Sequence, residues 1–210
     1  FLCFYFQLFF SFKILKTFTN SVSYSLIGSI FFLIAPIFTF KVIFLHGSVA
    51  GHWLLLIALY LGLTQKINET KLSWVLLIIL TSLIEYSSMI IILAVYSLLR
   101  IFNLKFDKEN FFKLIKDFFI IATLLLLILY IVGYFEVRIG DTLGLGFGVY
   151  KMNLLSLFDS VHSFGGTSWS WFLPDIKLSR GEELEGFNYL GLGQIIMLLF
   201  VLVLLFNKNY

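Results

Sequence analysis

The chain has 210 residues, of which 60% are hydrophobic, 19% aromatic and only 13% charged, a balance far outside the soluble globular range that predicts an integral membrane protein. A formal charge of +3 with no basic stripe argues against a nucleic-acid partner, and a single cysteine excludes an internal disulfide or a cysteine metal site. The apolar runs are continuous and do not alternate, which excludes a β-barrel and leaves helices as the spanning elements.

The chain opens on Phe1-Leu-Cys3, with no basic segment and cleavage site, so it reads as a fragment whose N-terminal part is missing. Phe1 to Ser11 is about half the ~20 residues a span needs and is expected to be the end of a truncated helix closed by Lys13 and Lys16. Ser25 to Leu45 is the first full span, kinked at Pro36, with Lys41, His46 and Gly47 at its exit. Val49 to Leu63 crosses back to a polar turn holding Lys66 and Lys71. Asn68-Glu-Thr70 in that turn matches a glycosylation sequon by chance, because charge places it on the cytoplasmic side.

Leu72 to Leu104 as one helix would be about 50 Å long, against a hydrocarbon core of ~30 Å, with Glu85 near its middle. An acid there costs roughly 2.5 to 3.5 kcal/mol. Two short helices reversing at Glu85-Tyr-Ser-Ser88 remove both difficulties. Asp107 is a candidate cap for a helix that starts near Glu109 and runs to about Phe135, and Tyr189 to Phe206 supplies a last span. With the hairpin, ten bases fall on one side of the membrane and five on the other, which collects eight of the twelve acids and orients residues 136–187 outward.

The expected architecture is therefore all-α: a polytopic helical membrane protein of about six to seven membrane helices with one long outer loop. Residues 1–135 form membrane helices, 136–187 the outer loop, and 188–210 the final membrane helix. Within the loop, Leu154, Leu157, Phe158, Val161 and Phe164 recur at helical spacing, so an amphipathic helix is expected over 153–164, either lying on the membrane or packed in a small outer domain. Trp169 and Trp171 beyond it read as headgroup-level anchors.

The polar residues give several candidates. Gly144-Leu-Gly-Phe-Gly148 lacks the spacing and lysine of a phosphate loop and reads as an extended segment. His46 and His52 are spaced as interfacial hydrogen-bonding groups rather than as a metal-binding pair on one helical face. Lys41 and Glu85 are ionisable groups among apolar helices, which mark a polar cavity; for Glu85 the alternative is a turn residue reaching water. Glu182, Glu183 and Glu185 read as a solvated loop before a metal site. Together Lys41, His46, His52, Glu85, Glu185, Asn188 and Tyr189 are the expected ligand-binding set, with His46, His52 and Glu85 meeting at one outer cavity. No catalytic residue is assigned, and no nucleophile-base arrangement can be assembled.

Ala35-Pro-Ile-Phe-Thr-Phe-Lys41, His46-Gly-Ser-Val-Ala-Gly-His-Trp53, Gly146-Phe-Gly-Val-Tyr150, Trp171-Phe-Leu-Pro-Asp175 and Glu185-Gly-Phe-Asn-Tyr-Leu-Gly-Leu-Gly193 resemble the bacterial multi-pass membrane family called domain of unknown function 6311, over about residues 24 to 206. That family is similar to the GT-C glycosyltransferases, and the resemblance implies a GT-C-like fold and transfer of a sugar from a polyprenyl-phosphate donor to an outer-face acceptor, with a divalent metal as a candidate cofactor. It also implies a bacterial inner-membrane location with membrane lipids as partners. The chain departs from the resemblance at Glu85-Tyr86, where a His-Pro type turn is expected. A transporter or flippase of a lipid-linked or polar substrate, or a non-catalytic membrane scaffold, are the competing functions.

Overall fold

The computed structural model describes residues 1–43, 50–64, 71–102, 108–136, 154–162, 167–173, 176 and 188–206. Among these residues the regular secondary structure is helical apart from one ribbon of two-residue strands, and the chain divides into two units, residues 1–33 with 44–141 and residues 34–43 with 142–210.

The first unit begins with α1 (Leu2–Phe18) and α2 (Val22–Leu33). α1 stops where Thr19 turns extended, and Ser21 starts α2 by accepting the Tyr24 N–H on its hydroxyl at 3.3 Å. The two helices run antiparallel, with Gln7 Nε2 donating to the Phe32 carbonyl at 3.4 Å. Ser11, Ser25 and Ser29 are fully buried along the pair and return their hydroxyls to carbonyls of their own helices. Gly28 packs closely on Leu15: a Cβ at Gly28 would sit 2.6 Å from Leu15 Cδ1.

The sequence predicts a single kinked helix through Pro36; two helices form instead. α2 ends at Leu33, and α3 (Pro36–Ile43), in the second unit, starts on Pro36 as its first residue. A proline there forfeits no hydrogen bond, whereas inside one continuous helix it would remove a bond and clash with the carbonyl four residues back.

α4 (His52–Thr64), α5 (Lys71–Ile84), α6 (Tyr86–Phe102) and α7 (Lys108–Ile131) are the other α-helices described in the first unit, and a 3-10 turn at Tyr134–Glu136 follows them. Trp53, Leu54, Trp74, Ile78, Ile92, Tyr96 and Ile121 form its core. The Trp74 and Tyr96 rings lie 5.6 Å apart, and each is eleven residues from Glu85. A continuous helix would separate them by about 33 Å. The chain therefore reverses at Glu85, as the sequence predicts.

Glu85 replaces the Gly or Pro such a reversal usually carries. Its carboxylate accepts the N–H groups of Ser87 at 3.1 Å and Ser88 at 2.8 Å, two of the orphan donors at the start of α6, and also the Ser87 hydroxyl.

α7 carries the 22-residue stretch Asn110–Ile131, which is long and apolar enough to cross a membrane. α4, α5, α6 and α8 (Leu192–Phe206) are apolar but only 13 to 17 residues long, so helix length alone does not make each of the expected six to seven membrane helices a span. The last helix is shorter than the expected 189–206 because Gly191, with φ +91°, ends the extended segment before it and starts α8 through its carbonyl, which accepts the Ile195 N–H at 3.1 Å.

In the second unit the helix expected over 153–164 does not form. Leu154–Leu157 makes one 3-10 turn, and Val161–His162 pairs antiparallel with Thr167–Ser168. The physical reason lies on the polar face. Ser156, Asp159 and Ser160 are buried, and the last two bond backbone elsewhere: Ser160 Oγ donates to the Leu173 carbonyl at 3.3 Å and Asp159 Oδ1 accepts the Ile176 N–H at 3.5 Å. Short polar side chains that find such backbone partners compete with helix formation.

Candidate functional site

Phe40 of α3, Tyr189 and Ile195 of α8 form the buried centre of the second unit, with Trp169, Leu173 and Leu190 packed against them. A cavity of about 390 Å³ opens beside this centre, walled by the Ser168–Phe172 loop on one side and by Pro36, Tyr189, Gly191 and Leu192 on the other. Its size falls in the range of small-molecule sites.

The loop is held by its own hydroxyls. Ser168 Oγ donates to the Ser170 carbonyl at 2.6 Å and accepts the Ser170 N–H at 3.3 Å, and Ser170 Oγ accepts the Phe172 N–H at 3.2 Å. Its base is tied down where Trp169 N–H donates to the Ser160 carbonyl at 2.8 Å, and the opposite wall where Leu190 N–H donates to the Leu157 carbonyl at 3.1 Å. The rim stays open to solvent: Trp171 is 97% and Phe172 81% exposed, whereas Tyr189 is 1% exposed. The arrangement offers flat apolar ring faces beside serine hydroxyls, which suits a ligand that is itself amphipathic.

The family model described as domain of unknown function (DUF6311) matches residues 1–210. The chain belongs to this family. Searches of curated proteins and of solved structures return no match.

In this DUF6311 chain the expected ligand-binding residues divide between the two units. Tyr189 lines the cavity, Asn188 precedes it, and Lys41 follows Phe40 of the same core, with its ammonium 5.9 Å from the Phe40 ring centroid. His52 and Glu85 belong to the first unit. His46 and Glu185 lie outside the described residues, as do Glu182, Glu183 and Asp107. Among the described residues no group of three or more His, Cys, Asp or Glu is placed to hold a metal.

His52 is the first residue of α4, and Glu85 immediately precedes α6. α4 and α6 run side by side, close enough that a Cβ on Gly62 would meet Leu99 Cδ1 at 3.1 Å. From that contact His52 lies about 15 Å back along α4 and Glu85 about 21 Å back along α6.

The cavity was legible only in part. Tyr189 stands in the run Glu185 to Gly193, whereas Trp169 and Trp171 read as headgroup anchors and Pro36 as a kink. Lining residues as distant in sequence as Pro36 and Leu192 meet through folding alone.

Glu85 carries a pH signature. Burial pushes its carboxyl up, but the hydrogen bonds from Ser87 and Ser88 outweigh that and hold it below its ordinary value of 4.5. A depressed carboxyl contributes stability that is complete above the unfolded value and disappears as pH falls through the folded one. Glu85→Gln is therefore expected to cost about 1 kcal/mol at neutral pH, with the difference from the parent shrinking below pH 4.5. Unfolding titrations at pH 7 and pH 3.5 check it, and an equal difference at both would show that the charge is not what caps α6.

Proposed function

We propose that this DUF6311 chain is the membrane part of a GT-C-like glycosyltransferase, with the cavity of the second unit seating a sugar ring. The observation that carries the reading is the cavity wall: Trp169, Trp171, Phe172 and Tyr189 with the hydroxyls of Ser168 and Ser170. The axial C–H face of a pyranose is apolar and its rim hydroxylated, so ring faces stack on it while short hydroxyls take its hydrogen bonds.

A polyprenyl-phosphate donor fits the apolar helices around such a site, since α8 leaves Met197, Phe200 and Phe206 more than 60% exposed along its length. In this reading the chain is multi-pass, in a bacterial inner membrane, with residues 136–187 on the outer face. Transfer requires a carboxylate to take the proton of the acceptor hydroxyl and a cationic group, protein-borne or metal, to receive the charge of the departing phosphate. The residues that would do this are not assigned.

Binding of a polyprenyl-phosphate sugar to the purified protein in nanodiscs tests the reading. Trp169→Ala combined with Trp171→Ala is expected to weaken binding tenfold or more, about 1.4 kcal/mol, with the helical content unchanged. Equal affinity of parent and variant, or equal affinity for the donor and for polyprenyl phosphate without its sugar, would refute a sugar seat in this cavity.

A further inference from the structure

The sequence pairs Trp169 and Trp171 as headgroup anchors, and the fold parts them. Trp169 and Leu173 pack inward on the Phe40–Tyr189–Ile195 core of the second unit. Between these two inward residues the chain turns Trp171 and Phe172 outward, where they are 97% and 81% exposed. The Ser168 and Ser170 hydroxyls close hydrogen bonds onto the backbone of residues 170 and 172, so the two rings stand on a braced tip.

The area of the tip narrows what can cover it. Aromatic side chains bury about 150–250 Å² each, so this pair offers roughly 300–500 Å². A specific protein partner, or a second copy of the chain, needs about 1,000 Å² or more. A lipid surface sets no such minimum, because it takes up single side chains without shape complementarity, and the apolar body and polar N–H of Trp suit the membrane boundary.

The neighbouring helix points to the same occupant. The tip and Leu192, the first residue of α8, wall one cavity. Ile196 to Val203, consecutive apolar side chains over more than two turns, are each 39% to 65% exposed. A protein partner covers one face of a helix, whereas a helix apolar and open on every side suits a surrounding of lipid. α8 has 15 residues, a length of about 22 Å against a hydrocarbon core of ~30 Å. Trp171 and Phe172, beside its start, extend the apolar surface past that end and reduce the mismatch.

We propose that Trp171 and Phe172 form a membrane anchor that inserts at the boundary between lipid headgroups and acyl chains, and that this holds the mouth of the cavity at headgroup depth. The inference rests on the membrane reading of this chain and not on sugar transfer.

The test is tryptophan fluorescence of the purified protein, one copy per nanodisc, in phosphatidylcholine and in phosphatidylcholine brominated on the acyl chains close to the headgroup. Of the four tryptophans, Trp53 and Trp74 are buried and Trp169 is half-buried, so the emission that the parent has and Trp171→Phe lacks belongs to the tip. Bromine quenches by contact. The tip emission is expected to lose at least half of its intensity in the brominated lipid, and less when the bromine is moved to the chain ends. Aqueous iodide should quench it less than half as strongly as it quenches free tryptophan. Trp169→Phe should leave the intensity lost to bromine unchanged. Strong iodide quenching with none from bromine puts the tip in water and overturns the proposal. Protection from both quenchers means that protein covers the rings, and overturns the lipid assignment. A loss of bromine quenching in Trp169→Phe as large as in Trp171→Phe would make the inward Trp169 the anchor instead. No sugar enters the measurement, so any of these failures leaves the sugar seat standing, whereas protein that stays dispersed without lipid or detergent would overturn the membrane reading and the anchor together.

Discussion

Trp74→Ala is expected to destabilise the first unit by about 3–5 kcal/mol, measured by unfolding in mixed micelles. Trp74 is fully buried, belongs to the cluster that includes Leu77, Ile78, Ile92 and Tyr96, and holds α5 against α6 across the reversal at Glu85. If the unfolded chain remains in lipid, little apolar surface reaches water on unfolding, so the cost is that of lost contacts and an unfilled volume. Trp74→Phe separates this from any polar contribution. The indole N–H has no hydrogen-bond partner among the described residues, so exchanging it for carbon forfeits no bond there, and Phe should restore most of the stability. Leu72→Ala, at a side chain 70% exposed on the same helix, should change stability by about 0.5 kcal/mol or less. A loss at Trp74→Ala no larger than at Leu72→Ala would mean that α5 and α6 do not pack through this contact.

How far the fold was legible depends on the distance over which each feature is decided. The reversal at Glu85 is expected from local quantities, the length of the apolar stretch and an acid at its midpoint, and that same carboxylate is the group that caps α6. The break at Pro36 is equally local, although the sequence predicts a kink in one helix where the chain begins a new one. The ion pairs of Asp117 with Lys71 and Arg100 were hidden, because Asp117 is 46 residues from Lys71 and 17 from Arg100, and no spacing rule joins them. The cavity was hidden for the same reason. The amphipathic pattern at 153–164 misled in a different way: the period is present, but Asp159 and Ser160 have backbone partners near residues 173 and 176 that a helix would forfeit. Periodicity reports which residues share a face only if the segment is a helix.

Gly191→Ala is expected to cost the second unit about 1–3 kcal/mol and to narrow the cavity. Gly191 has φ +91°, where an L side chain is strained, and an added Cβ would meet Pro36 Cδ at 3.2 Å and Cγ at 3.3 Å. Pro36 has no rotamer with which to yield, because its ring is fixed to the backbone at the first turn of α3. Both residues line the cavity, so relief by moving α3 away from the start of α8 alters the wall where a ligand would lie. Two other glycines separate the causes. Gly133, at φ +81°, would place its Cβ no nearer than 3.8 Å from Glu136 Cγ, so Gly133→Ala carries backbone strain without crowding and leaves ligand binding intact. Gly193, inside α8 with nothing within 4 Å of an added Cβ, should tolerate Ala or gain up to about 1 kcal/mol from helix propensity. The expected order of stability is Gly193→Ala, then Gly133→Ala, then Gly191→Ala, with only the last weakening a ligand of the cavity. If Gly191→Ala matches Gly193→Ala in both stability and binding, the tight approach of Gly191 to Pro36 does not shape this site.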